Sequence, residues 1–219
     1  MDSSPILLSI KTAFIATVIT FFLGIYSARL VKSTSKFRGI LDGLFTLPMV
    51  LPPTVVGFFL LILLGVNGPF KEVFKFLNIQ IVFSYSATVI AAIVVSFPLM
   101  YRTALGAFEQ VNESYIYAAQ TLGLKNSTIF WKIVFPLSRP GLISGVVLSF
   151  TRALGEFGAT IMIAGNIEGR TQTISTAIYS AVQAGNRPLA FRWSLIVVFI
   201  SFTTIITVNL VSKRKYHVD

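Results

Sequence analysis

Five long runs of apolar residues divide this sequence and restrict the chain to few kinds of fold. The runs cover residues 12–31, 40–65, 81–105, 140–164 and 189–211. A helix needs about 20 apolar residues to cross the hydrocarbon core of a membrane. Lipid offers no partner for an unpaired backbone group, and the runs are too long and too uniformly apolar for barrel strands, so we expect helices. The sequence predicts an all-α membrane protein with about five transmembrane helices in a single domain, residues 1–219.

The charged residues fit a membrane protein better than a nucleic-acid-binding protein. They make up 12% of the chain, about half the usual share in soluble domains, although the net charge is +10. The basic residues are spread over short segments between the apolar runs, which argues against nucleic-acid binding. The chain has no cysteine, and its single histidine, His217, lies in the last three residues. These features exclude a disulfide or thiolate metal site, and we expect no metal and no cofactor.

The positions of lysine and arginine predict the orientation of the chain. If the C-terminus is cytoplasmic and there are five spans, the N-terminus is outside, and the basic residues divide 11 to 6 in favour of the cytoplasm. The opposite orientation would violate the positive-inside rule. No basic residue precedes Lys11, unlike in a secretory leader, so we expect the first span to be retained. The residues assigned to the cytoplasmic side are Arg29, Lys32, Lys36, Arg38, Arg102, Lys125, Lys132, Arg139, Lys213, Arg214 and Lys215.

Three prolines interrupt the second apolar run, at Pro48, Pro52 and Pro53. Each proline removes a backbone donor and disturbs the helical turn before it. Two interpretations stay open: a simple kink in one span, or a broken helix that lines a polar path. Thr46 and Thr54 flank the prolines and suit either interpretation, and both are candidate residues of a translocation path.

The connection at residues 106–137 is too polar for lipid, yet its pattern predicts structure. We expect two short helices at residues 115–122 and 127–134, joined at Gly123 and closed by Pro136. An ordinary surface loop is the alternative interpretation, but connections of this length usually have a function. Apolar side chains exposed beside the glycine would form a docking site for another protein. These are Ala118, Ala119, Leu122 and Leu124.

This connection resembles the cytoplasmic EAA loop of binding-protein-dependent ABC importer permeases. Tyr117-Ala-Ala-Gln-Thr-Leu-Gly123 is followed after nine residues by Ile133-Val-Phe-Pro136, which matches the spacing of that loop. Tyr117 replaces the usual glutamate and Phe135 the usual leucine; Glu113, one turn earlier, is the candidate substitute for the missing charge. The resemblance implies that the loop forms a coupling helix seated in a cleft of an ATPase subunit. The implied contact residues are Tyr117, Ala118, Ala119, Gly123, Leu124, Ile133 and Pro136.

Further segments narrow the resemblance to molybdate-type permeases, with sulfate permeases less similar. They are residues 47–57, residues 152–160 with the string Arg-Ala-Leu-Gly-Glu-Phe-Gly, residues 164–166 and residues 169–173. The resemblance implies import of an oxyanion, most simply molybdate, with tungstate and sulfate as alternatives. It also implies an assembly in a prokaryotic plasma membrane with two permeases, two ATPase subunits and one extracytoplasmic binding protein.

Arg152 and Glu156 are the charges placed well inside an apolar run. Isolated charges at that depth are costly, and four residues of helix would bring the two side chains together. Two interpretations stay open: a structural pair that holds helices together, or an arginine that serves the anion with Glu156 as its resting partner. Thr160, one turn further on, is another candidate residue of the path.

Motifs for chemistry are missing from the sequence. It contains no Gly-x-x-x-x-Gly-Lys-Ser/Thr phosphate loop, no metal-ligand cluster and no Gly-x-Ser-x-Gly nucleophile motif. We therefore expect no enzyme activity in this chain and ATP hydrolysis on a separate one. Two other classes of function compete with this interpretation. A stand-alone channel or ion-coupled transporter would need no ATPase. A membrane enzyme would need a set of catalytic residues.

Overall fold

The computed structural model of the chain describes residues 3–34 and 36–213, with side chains up to residue 206. These residues form helices and connecting turns without a strand, so the predicted all-α class is confirmed. Arg214, Lys215 and His217 lie outside the described residues. A π-helical turn, Phe130–Val134, separates α7 from α8. Helices α1 to α12 cover, in chain order, Ser4–Ser33, Arg38–Val50, Pro53–Leu64, Lys71–Phe76, Tyr85–Glu109, Glu113–Thr121, Asn126–Ile129, Phe135–Leu137, Arg139–Leu154, Gly158–Ile163, Ile174–Gln183 and Arg187–Lys213.

Three of the described helices are long and apolar enough to cross a membrane unbroken. These are α1, α5 and the part of α12 up to Ile206, and they correspond to the first, third and fifth apolar runs. Two strongly bent pairs of helices raise the number of possible spans to five. The predicted number of spans is therefore reached only if each bent pair is counted as one span.

The second apolar run is a broken helix and not a kinked one. The chain bends by 109° between α2 and α3, and the break falls at Leu51 and Pro52. Pro52 and Pro53 both lack the N–H that would continue the α2 hydrogen-bond pattern, whereas Pro48 is tolerated inside α2. Pro53 begins α3, where a missing N–H costs nothing.

The fourth apolar run does not form the single span predicted over residues 140–164. Helix α9 ends at Leu154, and α10 begins at Gly158 after a three-residue break. Pro140 does lie in the first turn of α9, as predicted. A second bend of 71° separates Asn126–Leu137 from α9. Hydropathy detects the apolar run but not the break, because the run stays apolar on both sides of the break apart from Arg152 and Glu156.

Two buried clusters lie at opposite ends of α5. The first, here called the connection core, joins the ends of α1 and α5 to the segment between α5 and α9; it includes Val31, Tyr101, Phe108, Ala119, Ile129 and Phe130. The second joins α3, the start of α5 and α10, and includes Val56, Ala87, Ala91, Ala159 and Ile163. At the far end of α1, Ser9 Oγ accepts a hydrogen bond of 2.8 Å from the Ile174 N–H. Helix α5 therefore connects the polar segment to the region of the two broken helices.

Candidate functional site

The two broken segments meet where the start of α3 packs on α10. A Cβ atom built on Gly158 would lie 2.9 Å from Pro53 Cβ, and one built on Gly57 would lie 2.7 Å from Ala159 Cα. Both distances are too short for real carbon contacts, so the approach is possible only because the two positions are glycine. We call this contact the glycine crossing.

Arg152 and Glu156, directly before the crossing in the chain, form the ion pair that their spacing predicts. A guanidinium nitrogen of Arg152 lies 2.6 Å from Glu156 Oε2, in the alignment of an ion pair and not of a linear hydrogen bond. Glu156 is almost fully buried, whereas 31% of the Arg152 side chain is exposed. The expected helical geometry is wrong, however, because α9 ends at Leu154 and Glu156 lies beyond it.

The other carboxylate oxygen of Glu156 caps the short helix α10. Oε1 accepts a hydrogen bond of 2.7 Å from the backbone N–H of Ala159. The first N–H groups of a helix lack partners within it, and negative charge is favourable at this end. Glu156 therefore links α9, through Arg152, to α10, through Ala159.

The three threonines predicted for a path differ in their burial and in the helices that carry them. Thr54 is exposed at the start of α3, and its backbone nitrogen adjoins the crossing at Gly158. Thr160 is buried within α10. Thr46 is half-buried on α2, where its hydroxyl donates to the Asp42 carbonyl at 2.7 Å.

Asp42 belongs to a polar cluster that the sequence reasoning missed. Its carboxylate accepts a hydrogen bond of 2.8 Å from the Tyr101 hydroxyl and lies 3.3 Å from an Arg102 nitrogen. Arg38, at the start of α2, pairs with Glu109 at the end of α5. These contacts fasten α2, which has no fully buried residue, to α5. The sequence does contain one signal for this cluster: Asp42 is the single acidic residue of the second apolar run, and an acid near a membrane needs a cationic partner.

Directly after the end of α5, α6 is a short helix that is capped at its start and closed by a turn at its end. Asn112 caps its start by accepting a hydrogen bond of 2.9 Å from the Ser114 N–H. At its end, Gly123 has φ of +77° and Leu124 N–H donates to the Ala119 carbonyl at 3.1 Å. A side chain built on Gly123 would meet no atom within 4 Å, so the requirement for glycine is one of backbone conformation and not of space.

The exposed face of α6 differs in one residue from the prediction. Leu122 is 80% exposed, and Leu124 and Ala118 are also exposed. Ala119, predicted to be exposed, is instead 4% exposed and belongs to the connection core. Neighbouring residues of a helix point in different directions, so Ala118 and Ala119 cannot both be exposed. Ala119 faces the protein, and its small side chain lets α6 pack closely.

The second part of the connection is anchored and longer than predicted. The helical segment does not end before Pro136, because α8 runs to Leu137. In the preceding π-helical turn each N–H bonds to the carbonyl five residues earlier, and the Phe135 N–H accordingly donates to the Phe130 carbonyl. The Arg29 guanidinium lies 4.5 Å from the centre of the Phe130 ring. Ile133 and Pro136 are both half-buried, and Ile133 packs against the connection core.

Tyr117, at the position where the resembling pattern has glutamate, contacts the acid one turn earlier. Its hydroxyl donates a hydrogen bond of 3.0 Å to Glu113 Oε2. This bond and the negative charge of Glu113 raise the pKa of Tyr117 above its ordinary value. Both side chains are exposed. Within the described residues, no group of three potential metal ligands occurs.

Comparisons of the sequence with known proteins agree with the resemblance. The family model described as binding-protein-dependent transport system inner membrane component matches residues 20–216. The putative molybdenum transport system permease protein of Bacillus subtilis (strain 168) is 39% identical, over 98% of this chain and 94% of that protein. The molybdenum transport system permease protein of Escherichia coli (strain K12) is 40% identical, over 92% and 89%. The sulfate transport system permease protein of Salmonella typhimurium is 34% identical, over 94% and 75%.

Solved structures share the fold at low sequence identity. The MetNI methionine ABC transporter in an inward-facing conformation matches with a TM-score of 0.78 and 14% identity, over 96% of this chain and 94% of that chain. A bacterial alginate ABC transporter in complex with a pentasaccharide-bound periplasmic protein gives 0.75 and 17%, over 98% and 79%. With its long apolar helices, the chain is a multi-pass membrane protein. It belongs to the family of binding-protein-dependent transport system inner membrane components.

Proposed function

We propose that this chain is the membrane-spanning subunit of an ATP-driven molybdate importer in a prokaryotic plasma membrane. The observation that carries the transport mechanism is the capped helix α6, which is followed by the turn at Gly123 and packs in the connection core through Ala119. The choice of molybdate rests on the relatives from Bacillus subtilis and Escherichia coli, which are named for molybdenum transport and match this chain over most of their length.

In this proposal, residues 106–137 are a cytoplasmic coupling loop that receives an ATPase subunit. Leu122, Leu124, Ala118 and Tyr117 supply the exposed contact, and Gly123 sets its shape. Ala119 and Ile133 fix the loop to the body of the protein through the connection core. Pro136 is half-buried and lies within α8, at the end of the loop. ATP is hydrolysed on the separate ATPase chain, since this sequence has no phosphate loop.

The working assembly in this proposal contains two copies of this chain, two ATPase subunits and one extracytoplasmic binding protein. Three unbroken helices and two bent pairs enclose little space, and assemblies of one chain type usually close with twofold symmetry. The N-terminus lies outside and the C-terminus in the cytoplasm, so α6 faces the ATPase. Lipid surrounds the remaining apolar surface, and no nucleic acid is involved.

The translocation path is proposed to pass the two broken segments, beside Thr54. Broken helices suit this role because their free backbone ends can be solvated only where they face protein or a polar cavity. The pair Arg152 and Glu156 serves mainly to hold α9 and α10 in place, since each charge already has a partner.

Transport by a reconstituted complex tests the proposal. The chain, its ATPase subunit and its binding protein are placed in liposomes, and uptake of radiolabelled molybdate is followed with and without ATP. We expect uptake only with ATP and with all three components. Uptake by this chain alone would instead support a stand-alone channel or ion-coupled transporter.

Sulfate and tungstate are the alternative substrates. The sulfate relative from Salmonella typhimurium favours sulfate as the second candidate. Competition of unlabelled sulfate or tungstate against molybdate in the same assay ranks the three anions. Uptake of sulfate that molybdate does not reduce would overturn the choice of molybdate and leave the import mechanism in place.

A further inference from the structure

Residues 65–84, which include the short helix α4, connect α3 to α5 at the end of α5 opposite the coupling loop. The chain folds back directly after α3. A Cβ atom built on Gly68 would lie 2.5 Å from the Ile62 carbonyl oxygen and 2.6 Å from that of Leu63. Gly68 therefore lies against the last turn of α3, and α4 begins three residues later, at Lys71. Because α2 and α3 together form a possible span, α4 begins at the level where this span ends.

Helix α4 is amphipathic over its whole length. At 3.6 residues per turn, its polar residues share one side of the helix and its apolar residues share the other. The polar arc consists of Lys71, Glu72 and Lys75, and the apolar arc, with the residues that flank the helix, of Phe70, Val73, Phe74, Phe76 and Leu77. Two lysines and one glutamate give the polar arc a net charge of +1. Six residues are too few to cross a membrane, but an amphipathic helix can lie in its surface.

The two arcs of α4 face the reverse of what water would favour. All three residues of the polar arc line a cleft of about 720 Å³ between α4, the end of α3 and residues 78–82. Phe74 joins them and is half-buried. The other four side chains of the apolar arc are exposed, that of Phe76 by 88%. A surface helix in water turns its apolar side to the protein, so the outward apolar arc indicates apolar surroundings.

We propose that α4 lies in the extracytoplasmic interface of the membrane, where its apolar arc enters the acyl-chain boundary and Lys71 and Lys75 contact the phosphate groups of anionic lipids. The close packing of Gly68 on α3 sets the depth, and the two lysines complement the charge of the headgroups. Lysine stems can lie along apolar surface while the ammonium groups reach the phosphates. Helix α4 would thus hold the outer end of α3 at a fixed depth.

The membrane fits the apolar arc better than a docked binding protein does. A soluble protein that binds and leaves would return four large apolar side chains to water after each cycle, whereas lipid covers them permanently. The inference goes beyond the proposed function and takes from it only the side of the membrane on which α4 lies.

The absence of cysteine from the sequence allows a test with single nitroxide labels. Phe76→Cys on the apolar arc and Glu72→Cys on the polar arc are labelled in the full chain, which is reconstituted into liposomes of phosphatidylcholine and phosphatidylglycerol. Collisions with oxygen and with a water-soluble nickel chelate, measured by electron paramagnetic resonance, give the depth of each label. We expect the label at residue 76 about 5–10 Å below the lipid phosphates and the matched label at residue 72 in water. Val73→Cys, on the apolar arc, should repeat the result for residue 76.

The contact with the headgroups is tested by Lys71→Gln/Lys75→Gln in the Phe76→Cys background. In the mixed liposomes this variant should raise the collision rate with nickel about fivefold, which corresponds to about 1 kcal/mol of lost attraction to the anionic surface. The increase should disappear in liposomes of phosphatidylcholine alone. An unchanged collision rate in the mixed liposomes would overturn the role of the lysines.

Two results would overturn the interfacial position of α4. One is a label at residue 76 that collides with nickel as often as the label at residue 72. The other is a label at residue 76 that is shielded from both reagents only after the extracytoplasmic binding protein is added, which would make α4 a docking site for that protein. Both results leave the proposed transport function in place, because no ATPase subunit and no uptake enter the measurement. Thermal unfolding checks the fold, which the changes at exposed residues 72 and 76 should leave intact.

Discussion

Glu156 Oε1 lies 2.7 Å from the backbone nitrogen of Ala159, so a single side chain supplies the acceptor that the start of α10 needs. The same carboxylate neutralises Arg152 with its other oxygen. A neutral amide can perform the first task but not the second. The two tasks can therefore be separated by substitution.

Glu156→Gln should be less damaging than Glu156→Ala. The glutamine keeps an acceptor for Ala159 and loses the counter-charge of Arg152, which costs about 1 kcal/mol because Arg152 is partly exposed and screened. The alanine also loses the cap, for about 1 kcal/mol more. Thermal unfolding of the purified variants in detergent measures both. Equal destabilisation by the two substitutions would contradict the capping role.

Arg152→Met should destabilise the protein by about 3 kcal/mol, because it leaves the buried carboxylate of Glu156 unpaired. The double variant Arg152→Met/Glu156→Gln should regain most of this stability and most of the molybdate uptake, since we assign the pair a structural role. Recovered folding with persistently low uptake would show that the guanidinium serves the anion. Unchanged expression and uptake in Arg152→Met would contradict both roles.

Gly57→Ala should lower stability by about 2 kcal/mol and reduce uptake, because the new methyl group would lie 2.7 Å from the Ala159 backbone. Backbone atoms cannot move aside as a flexible side chain can. Gly106→Ala, within α5, is the control: its Cβ meets no atom within 4 Å, and alanine favours a helix by up to about 1 kcal/mol. If the two variants behave alike, the glycine crossing is not a close contact.

Gly123→Val should impair ATPase binding without preventing membrane insertion. The left-handed conformation at this residue costs a β-branched residue about 1–2 kcal/mol or more, although no neighbour is within reach. Gly123→Asn should be milder, because asparagine tolerates this conformation. Co-purification of the ATPase subunit reports the effect. An asparagine variant as impaired as the valine variant would point to lost space and contradict the conformational explanation.

Asp42→Asn should cost less than Asp42→Ala. Asparagine keeps an acceptor for the Tyr101 hydroxyl and loses only the partly exposed pair with Arg102, worth about 0.5–1 kcal/mol. Alanine also leaves the buried hydroxyl unpartnered, for about 1–3 kcal/mol more. Thermal unfolding compares the two, and Tyr101→Phe in the alanine background should recover part of the loss. Without such recovery, the hydroxyl is satisfied elsewhere.

The sequence predicts the unbroken spans and the turn at Gly123, because each depends on local information. Hydropathy alone marks α1, α5 and α12, and a glycine after a short polar helix predicts a left-handed residue. The pairing of Arg152 with Glu156 is also predictable, because buried charges of opposite sign attract wherever the backbone allows it.

The break before Gly158 and the burial of Ala119 are not predictable from local pattern. The break is possible because Glu156 accepts from the Ala159 N–H and because the start of α3 packs over the start of α10. The second contact joins residues about 100 positions apart, such as Gly57 and Ala159. Ala119 faces inward because α6 packs on α7 and on the π-helical turn within the connection core, an arrangement that a hydropathy pattern does not contain. The Asp42 cluster cannot be predicted from local pattern for the same reason, because the partners of Asp42 lie on α5.

The glycine crossing also sets an order of events during biosynthesis. Gly57 and Ala159 are about 100 residues apart, so a ribosome needs about 5–20 s between synthesising the first partner and the second. For that time the start of α3 has no α10 to pack against. During this interval α3 depends on the membrane-insertion machinery for protection. Slower translation between Gly57 and Ala159 would lengthen the exposure of this segment to proteases.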